Sequence, residues 1–135
     1  MNNVDNVLQK SISTVPECVA SGLVDLSTGM LMGIKSVDSH PQQVMDFLAA
    51  ATADLFQGPN VVTIENAFKK ARGVTETRHY FQEFIILSDN LLHVMMRSKK
   101  NQDHVACFVC RGSANIGMAL TRARAAMADI EKALS

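Results

Sequence analysis

Cys107-Phe108-Val109-Cys110 has the spacing of a dithiol redox centre or of half a zinc site. The surrounding residues are apolar and predict a strand, and on a strand residues three apart point to opposite faces, so the two sulfurs diverge. No second CxxC completes a zinc site, and Cys18 would have to meet these cysteines across a sheet. His40, His79, His93 and His104 are scattered, and none forms an i, i+4 pair that would bring two imidazoles to one metal. The expectation is structural thiols, edge or surface histidines, no metal and no cofactor.

Nucleophilic and phosphate chemistry find equally little support. A serine nucleophile needs a base and an orienting acid, and no G-x-S-x-G elbow occurs. Asp25, Ser27 and Thr28 read as turn chemistry, side chains bonding local backbone. The glycines form neither G-x-x-x-x-G-K-[ST] nor G-x-G-x-x-G, so no phosphate loop is expected. Arg111, Arg122 and Arg124 flank the start of the last helix, where solvated arginines are usual. Met30, Met32, Met45, Met95, Met96, Met118 and Met127 read chiefly as core filler. No catalytic residue is assigned, and the chain is not expected to be an enzyme.

The composition bounds the partners. The chain has 135 residues, 47% of them hydrophobic and 19% charged, which suits one globular domain over 1–135 with a single core. Thirteen basic and thirteen acidic residues cancel, which removes the electrostatic case for nucleic acid or an anionic membrane. No apolar run reaches the roughly 20 residues of a membrane span, and the opening MNNVDNVLQK lacks the layout of a signal peptide, so a cytoplasmic location is expected. Neutrality also weakens colloidal repulsion, which favours self-association through any exposed apolar face.

The elements that would position these residues read as follows. Val4, Val7, Leu8 and Ile12 predict a helix to Thr14, stopped by Pro16. Cys18–Val24 and Met30–Ile34 flank Asp25-Leu26-Ser27-Thr28-Gly29 as a hairpin. Ser39-His40-Pro41 opens a second helix with the apolar stripe Val44, Phe47, Leu48, Ala51 and Leu55. Gly58-Pro59 interrupts it, and Val61, Ile64, Ala67 and Phe68 resume the pattern to Gly73. Strands are predicted over His79–Leu87, Leu91–Arg97 and His104–Arg111, then a helix over Ala114–Leu134 with Ile116, Leu120, Ala123, Met127, Ile130 and Leu134 on its sheet side. Short connections between the last three strands permit only antiparallel pairing. The fold class is α+β: one five-stranded antiparallel sheet in the order αββα(α)βββα, with its helices packed on one side.

SGLVDLSTGMLMGI from Ser21, LSDNLLHVMMRS from Leu87 and FVCRGSANIGMALTRARAAMADIEKAL from Phe108 together resemble the roadblock / dynein light-chain family, and the resemblance covers most of the chain. It implies a profilin-like, roadblock-like sheet and a bacterial member of a group of dimeric scaffolds and regulators of small Ras-like GTPases. The segment Gly58–Gly73 departs from it, being longer than the shortest members carry. The related profilin and PAS plans suggest an alternative, a small-molecule sensor with a ligand between sheet and helix at Met95, Phe108 and Met118.

Tyr80, Phe81, Gln82, Phe84 and Ile86 make the third predicted strand apolar on both faces, and helices on one side cannot cover both. A second copy could. Two subunits are therefore expected to pair by this strand, using Tyr80, Gln82, Phe84 and Ile86, and to pack their second helices through Val44, Phe47, Leu48, Ala51 and Leu55. The expected partners are the chain itself, a small GTPase or another roadblock-like protein.

Overall fold

Alternation of core and surface residues in five short apolar segments, with helical periodicity between them, produces a single antiparallel sheet with helices on both faces. The computed structural model describes residues 3–38 and 42–135. Helix α1 (Asn3–Thr14) leads into the hairpin β1 (Cys18–Asp25) and β2 (Met30–Ser36). Helices α2 (Gln42–Gln57) and α3 (Pro59–Arg72) follow, then strands β3 (Glu83–Leu87), β4 (Leu91–Arg97) and β5 (His104–Arg111), and α4 (Ile116–Leu134). The strand order is β2-β1-β5-β4-β3, so β2 and β3 are the edges.

Local chemistry fixes the connections. Ser27 donates its backbone N–H (2.9 Å) and its hydroxyl (2.6 Å) to Asp25 Oδ1, and Gly29 takes the positive φ of 71° that closes the hairpin turn. The hydroxyl of Ser27, then its N–H, hold the Asp25 carboxyl below its ordinary pKa. Gly58 separates α2 from α3 at a point where a Cβ would lie 2.6 Å from the carbonyl oxygen of Asp54, so only glycine lets the chain turn so tightly into Pro59. Asn115 caps α4, its Oδ1 accepting the N–H of Met118 at 2.9 Å.

The sheet buries both faces. On one, Leu23, Leu92, Val94, Ala106 and Phe108 pack against α1 and α4 through Leu8, Ala119, Ala123, Met127 and Ile130. On the other, Val24, Met95 and Val105 pack with Ala49 and Phe56 of α2. Period-2 alternation assigns successive strand residues to opposite clusters.

Four expectations require correction. The helices occupy both faces and not one, because the long connection between β2 and β3 folds α2 back across the sheet. The third strand begins at Glu83, not His79, because the backbone of residues 79–81 bonds to side chains and not to β4. Helix α3 buries Glu65 and leaves Ile64 and Phe68 exposed, the reverse of its apolar pattern. In α4, Ile116 and Leu134 are exposed and the small residues Ala119, Ala123 and Ala126 meet the sheet, allowing close approach. The expected helix opening at Ser39-His40-Pro41 lies outside the described residues.

Candidate functional site

Helix α2 carries two apolar stripes. Met45, Ala49, Thr52 and Phe56, spaced by four, three and four, turn toward the sheet and are buried. Val44, Phe47, Leu48 and Ala51 form the other and remain exposed, Phe47 to 65% and Leu48 to 54%, with Leu55 half-buried at its end. A helix normally has one such face; a second, outward one is a surface awaiting cover.

The β3 edge is the second feature. Arg97 donates its N–H to the Gln82 carbonyl, and Ser88 donates to Leu91. In an antiparallel ladder alternate residues bond the neighbour, so Gln82, Phe84, Ile86 and Ser88 face β4, while the N–H and C=O groups of Glu83, Ile85 and Leu87 point off the sheet. Ile85 and Leu87 also expose their side chains, on the α4 face. Phe84 and Ile86 are half-buried on the α2 face, where Phe84 meets Phe56 edge-on with ring centroids 4.8 Å apart. The opposite edge is blunted: Gly33 opposes Leu23 and Leu31 opposes Val24, leaving Met32 as a bulge in β2.

A buried polar lock fixes the approach to β3. The Glu65 carboxylate, almost wholly buried, accepts hydrogen bonds from the N–H of Tyr80 and, at 3.4 Å, from that of Phe81, and lies 2.8 Å from His79 Nδ1. Burial raises its pKa, but the contact with His79 and the bond from the Tyr80 N–H outweigh that and leave it below the ordinary value. Arg97, at the end of β4, donates to the carbonyls of Phe81 (3.1 Å), Gln102 (2.7 Å) and Phe56 (3.0 Å). One guanidinium thus ties together the strap before β3, the β4–β5 turn and the end of α2. Tyr80 stacks on Phe68 and sits beneath Lys69 and Arg72 of α3.

No family model and no curated protein matches the sequence. Solved structures do match in three dimensions. Myxococcus xanthus MglB is 16% identical with a TM-score of 0.72, over 99% of this chain and 96% of that one. The gliding protein MglB of Thermus thermophilus is 16% identical with a TM-score of 0.70, over 97% and 87%. A roadblock/LC7 domain from Streptomyces avermitilis is 12% identical with a TM-score of 0.69, over 96% of both chains. The chain has the roadblock fold. The element order read from the sequence is the order of that fold, and both α2 and β3 lie within the matched length.

Within this roadblock fold the expected interface residues separate into three groups. Val44, Phe47, Leu48, Ala51 and Leu55 lie together on α2. Phe84 and Ile86 lie on β3 but turn their side chains toward the second core cluster. Tyr80 and Gln82 precede the strand: Tyr80 belongs to the α3 cluster, and Gln82 gives its side-chain N–H to the His79 carbonyl. The alternation of β4 already places Arg97 on the face of His93 and Met95, a signal for an inward arginine. Nothing local marks Glu65, whose partners lie fourteen to sixteen residues away.

The other candidate groups disperse. Cys107 and Cys110 fall in different clusters, as their spacing on a strand requires, and Cys110 stands opposite Cys18 across β1 and β5. Burial, slightly offset by Thr52, pushes the Cys107 thiol up to about 11. Arg124 makes a two-pronged pair with Glu83, at 2.8 and 2.9 Å, and so steadies the start of β3 from α4. His93 bonds Ser88 Oγ at 3.0 Å and is biased toward its neutral form by burial. Among the described residues no group of three or more His, Cys, Asp and Glu could hold a metal. No described helix is long and apolar enough to cross a membrane. Of the residues expected to form a sensor site, Met95 and Phe108 both border a hollow between the sheet and α2, although Phe108 packs in the cluster of the opposite face, and the exposed Met118 lies apart from it.

Proposed function

We propose that this chain is a non-enzymatic, homodimeric regulator that docks a small Ras-like GTPase or another roadblock-type protein. The observation that carries the reading is the pairing of an uncovered apolar stripe on α2 with an open, unbulged edge at β3. Antiparallel pairing of two β3 edges about Ile85 satisfies the outward N–H and C=O groups and joins the two sheets into one. The same operation brings the two α2 helices onto one side of the joined sheet, where Val44, Phe47, Leu48, Ala51 and Leu55 can cover one another. A two-fold interface of this kind is self-complementary, as a homodimer requires.

The likeness to MglB supports the regulatory part of this reading, and one solved form of MglB has a tetrameric arrangement. What the site offers is surface, an apolar stripe beside an open strand edge, and the sequence has no phosphate loop. Sedimentation velocity at micromolar concentration should give twice the 14.7 kDa chain mass. Calorimetric titration with a GTP-loaded Ras-like GTPase from the same genome should give saturable binding. A persistent monomer overturns the dimer; a dimer that binds none of that genome's Ras-like GTPases or roadblock-type chains overturns the docking.

A further inference from the structure

The packing under α2 is uneven. Its C-terminal end is tied to the body of the protein: Phe56 is fully buried, its carbonyl takes the Arg97 guanidinium, and Gln57 Nε2 donates to the Leu26 carbonyl at 3.2 Å. Its N-terminal half stands over short residues. Ala20 and Gly22 of β1 lie below and Ala49 above, bordering a partly open hollow of about 310 Å³. A Cβ at Gly22 would make ordinary contacts with the Gly33 carbonyl at 3.4 Å and with Ile34 and Leu31 at 3.8 Å, so the floor there is kept low by the missing side chain and bounded by β2. On the other face of the sheet Leu23, Phe108 and Ile130 fill the equivalent space. An apolar lining left to water forfeits the contacts and the burial that an apolar occupant would supply.

The lining states what could occupy it. Among the described residues it contains no Asp, Glu, Lys or Arg, and it is predominantly aliphatic, with Met45 from the helix and Met95 from β4 as adaptable walls. Thr52, the polar group in its roof, already donates to the Leu48 carbonyl at 2.8 Å. His93 is at its β4 side, with one ring nitrogen held by Ser88 and no partner for the other among the described residues. A nucleotide, a phosphate or any multiply charged molecule would lose its hydration here without a compensating charge. An apolar cavity of about 150 Å³ takes up benzene, so a volume about twice that suits a bicyclic aromatic or a chain of about eight to ten carbons.

We propose that the hollow beneath the N-terminal half of α2 is a binding site for a small uncharged apolar molecule carrying a single hydrogen-bonding group, placed at His93. The occupant lies between the sheet and the helix that presents the outward stripe, so its presence sets how firmly that half of α2 is held. The site adjoins the proposed dimer surface: Met45 and Ala49 face the sheet, while Val44 and Leu48 of the outward stripe form its rim and Phe47 faces away.

The probe is 1-naphthol, with 1-naphthyl phosphate as its charged counterpart, added to protein carrying ¹³C-methyl methionine. Binding should be saturable for 1-naphthol alone, with intermolecular NOEs to the methyls of Met45 and Met95. Ala49→Leu, which fills the roof, should weaken it at least about tenfold. Absence of saturable shifts, NOEs confined to the exposed Met30, Met32 and Met118, or equal binding of the phosphate ester overturns the proposal. So does a hollow filled in solution by a second copy, seen as intersubunit NOEs at Met45 and Met95. The NOE readout uses the unaltered protein and stands if Ala49→Leu fails to fold.

Discussion

His79 Nδ1 stands 2.8 Å from Oε1 of Glu65, a carboxylate on α3 that is 1% exposed. The other carboxylate oxygen holds the backbone of Tyr80 and Phe81, so one buried acid sets the course of the chain into β3. Glutamine keeps one acceptor oxygen for the strap but removes the negative charge that strengthens the bonds from Tyr80 and Phe81 and the contact with His79. Glu65→Gln should lower stability by about 1–3 kcal/mol at pH 7, measured by urea denaturation.

The same acid makes stability pH-dependent. Its folded pKa is depressed, so its contribution is complete above the unfolded value of about 4.3 and is lost as pH falls through the folded one. The unfolded chain binds the proton first, and stability therefore rises with pH across that window. Denaturation midpoints of the unaltered protein between about pH 5 and pH 3 should fall more steeply than those of Glu65→Gln. Parallel slopes would remove Glu65 as the source.

Arg97 is the counterpart on β4. Its three acceptors come from α2, the strap and the β4–β5 turn, and Glu65 and Asp103 are the carboxylates that offset the burial of its charge. A lysine cannot reach three divergent carbonyls with a fixed fork. Arg97→Lys should cost about 2 kcal/mol or more and raise amide exchange of the strap, at 79–82, above that of β5.

The element order, the hairpin turn and the strands β4 and β5 were legible because each rests on local signals: Asp25 and Gly29 at the turn, period-2 alternation in Leu91–Arg97, a polar turn before His104. The start of β3 was not legible. Tyr80 and Phe81 have strand-like composition, and what withdraws them from the sheet is Glu65 and Arg97, which are distant in sequence. The outward stripe of α2 was legible as apolar periodicity, but its direction was not, because Met45, Ala49, Thr52 and Phe56 offer a second stripe of equal spacing. Only the packing of Phe56 against Phe84 decides between them.

That decision makes Phe47 the sharpest probe of the proposed dimer. It is 65% exposed, so a charge there should cost the isolated subunit no more than about 0.5 kcal/mol. In a helix-to-helix interface the same charge would be buried without a partner. Phe47→Asp should weaken self-association by about 2 kcal/mol or more, roughly thirtyfold in dissociation constant, with the circular dichroism spectrum unchanged. Light scattering over a dilution series reads it. Equal dissociation constants would move the interface off α2.

The β3 edge is tested independently through its backbone. Ile85 lies between Phe84 and Ile86, both turned toward β4, so its N–H points off the sheet and takes no part in the β3–β4 ladder. Proline is tolerated on an edge strand where the missing N–H faces outward. Ile85→Pro should therefore keep the fold while removing the central hydrogen bonds of a β3–β3 pair. Ile86→Pro, one residue on, deletes a bond to β4 and should destabilise the subunit itself. A folded Ile85→Pro monomer beside a poorly folded Ile86→Pro chain would assign the association to this edge; an Ile85→Pro dimer as tight as the unaltered protein would place it elsewhere.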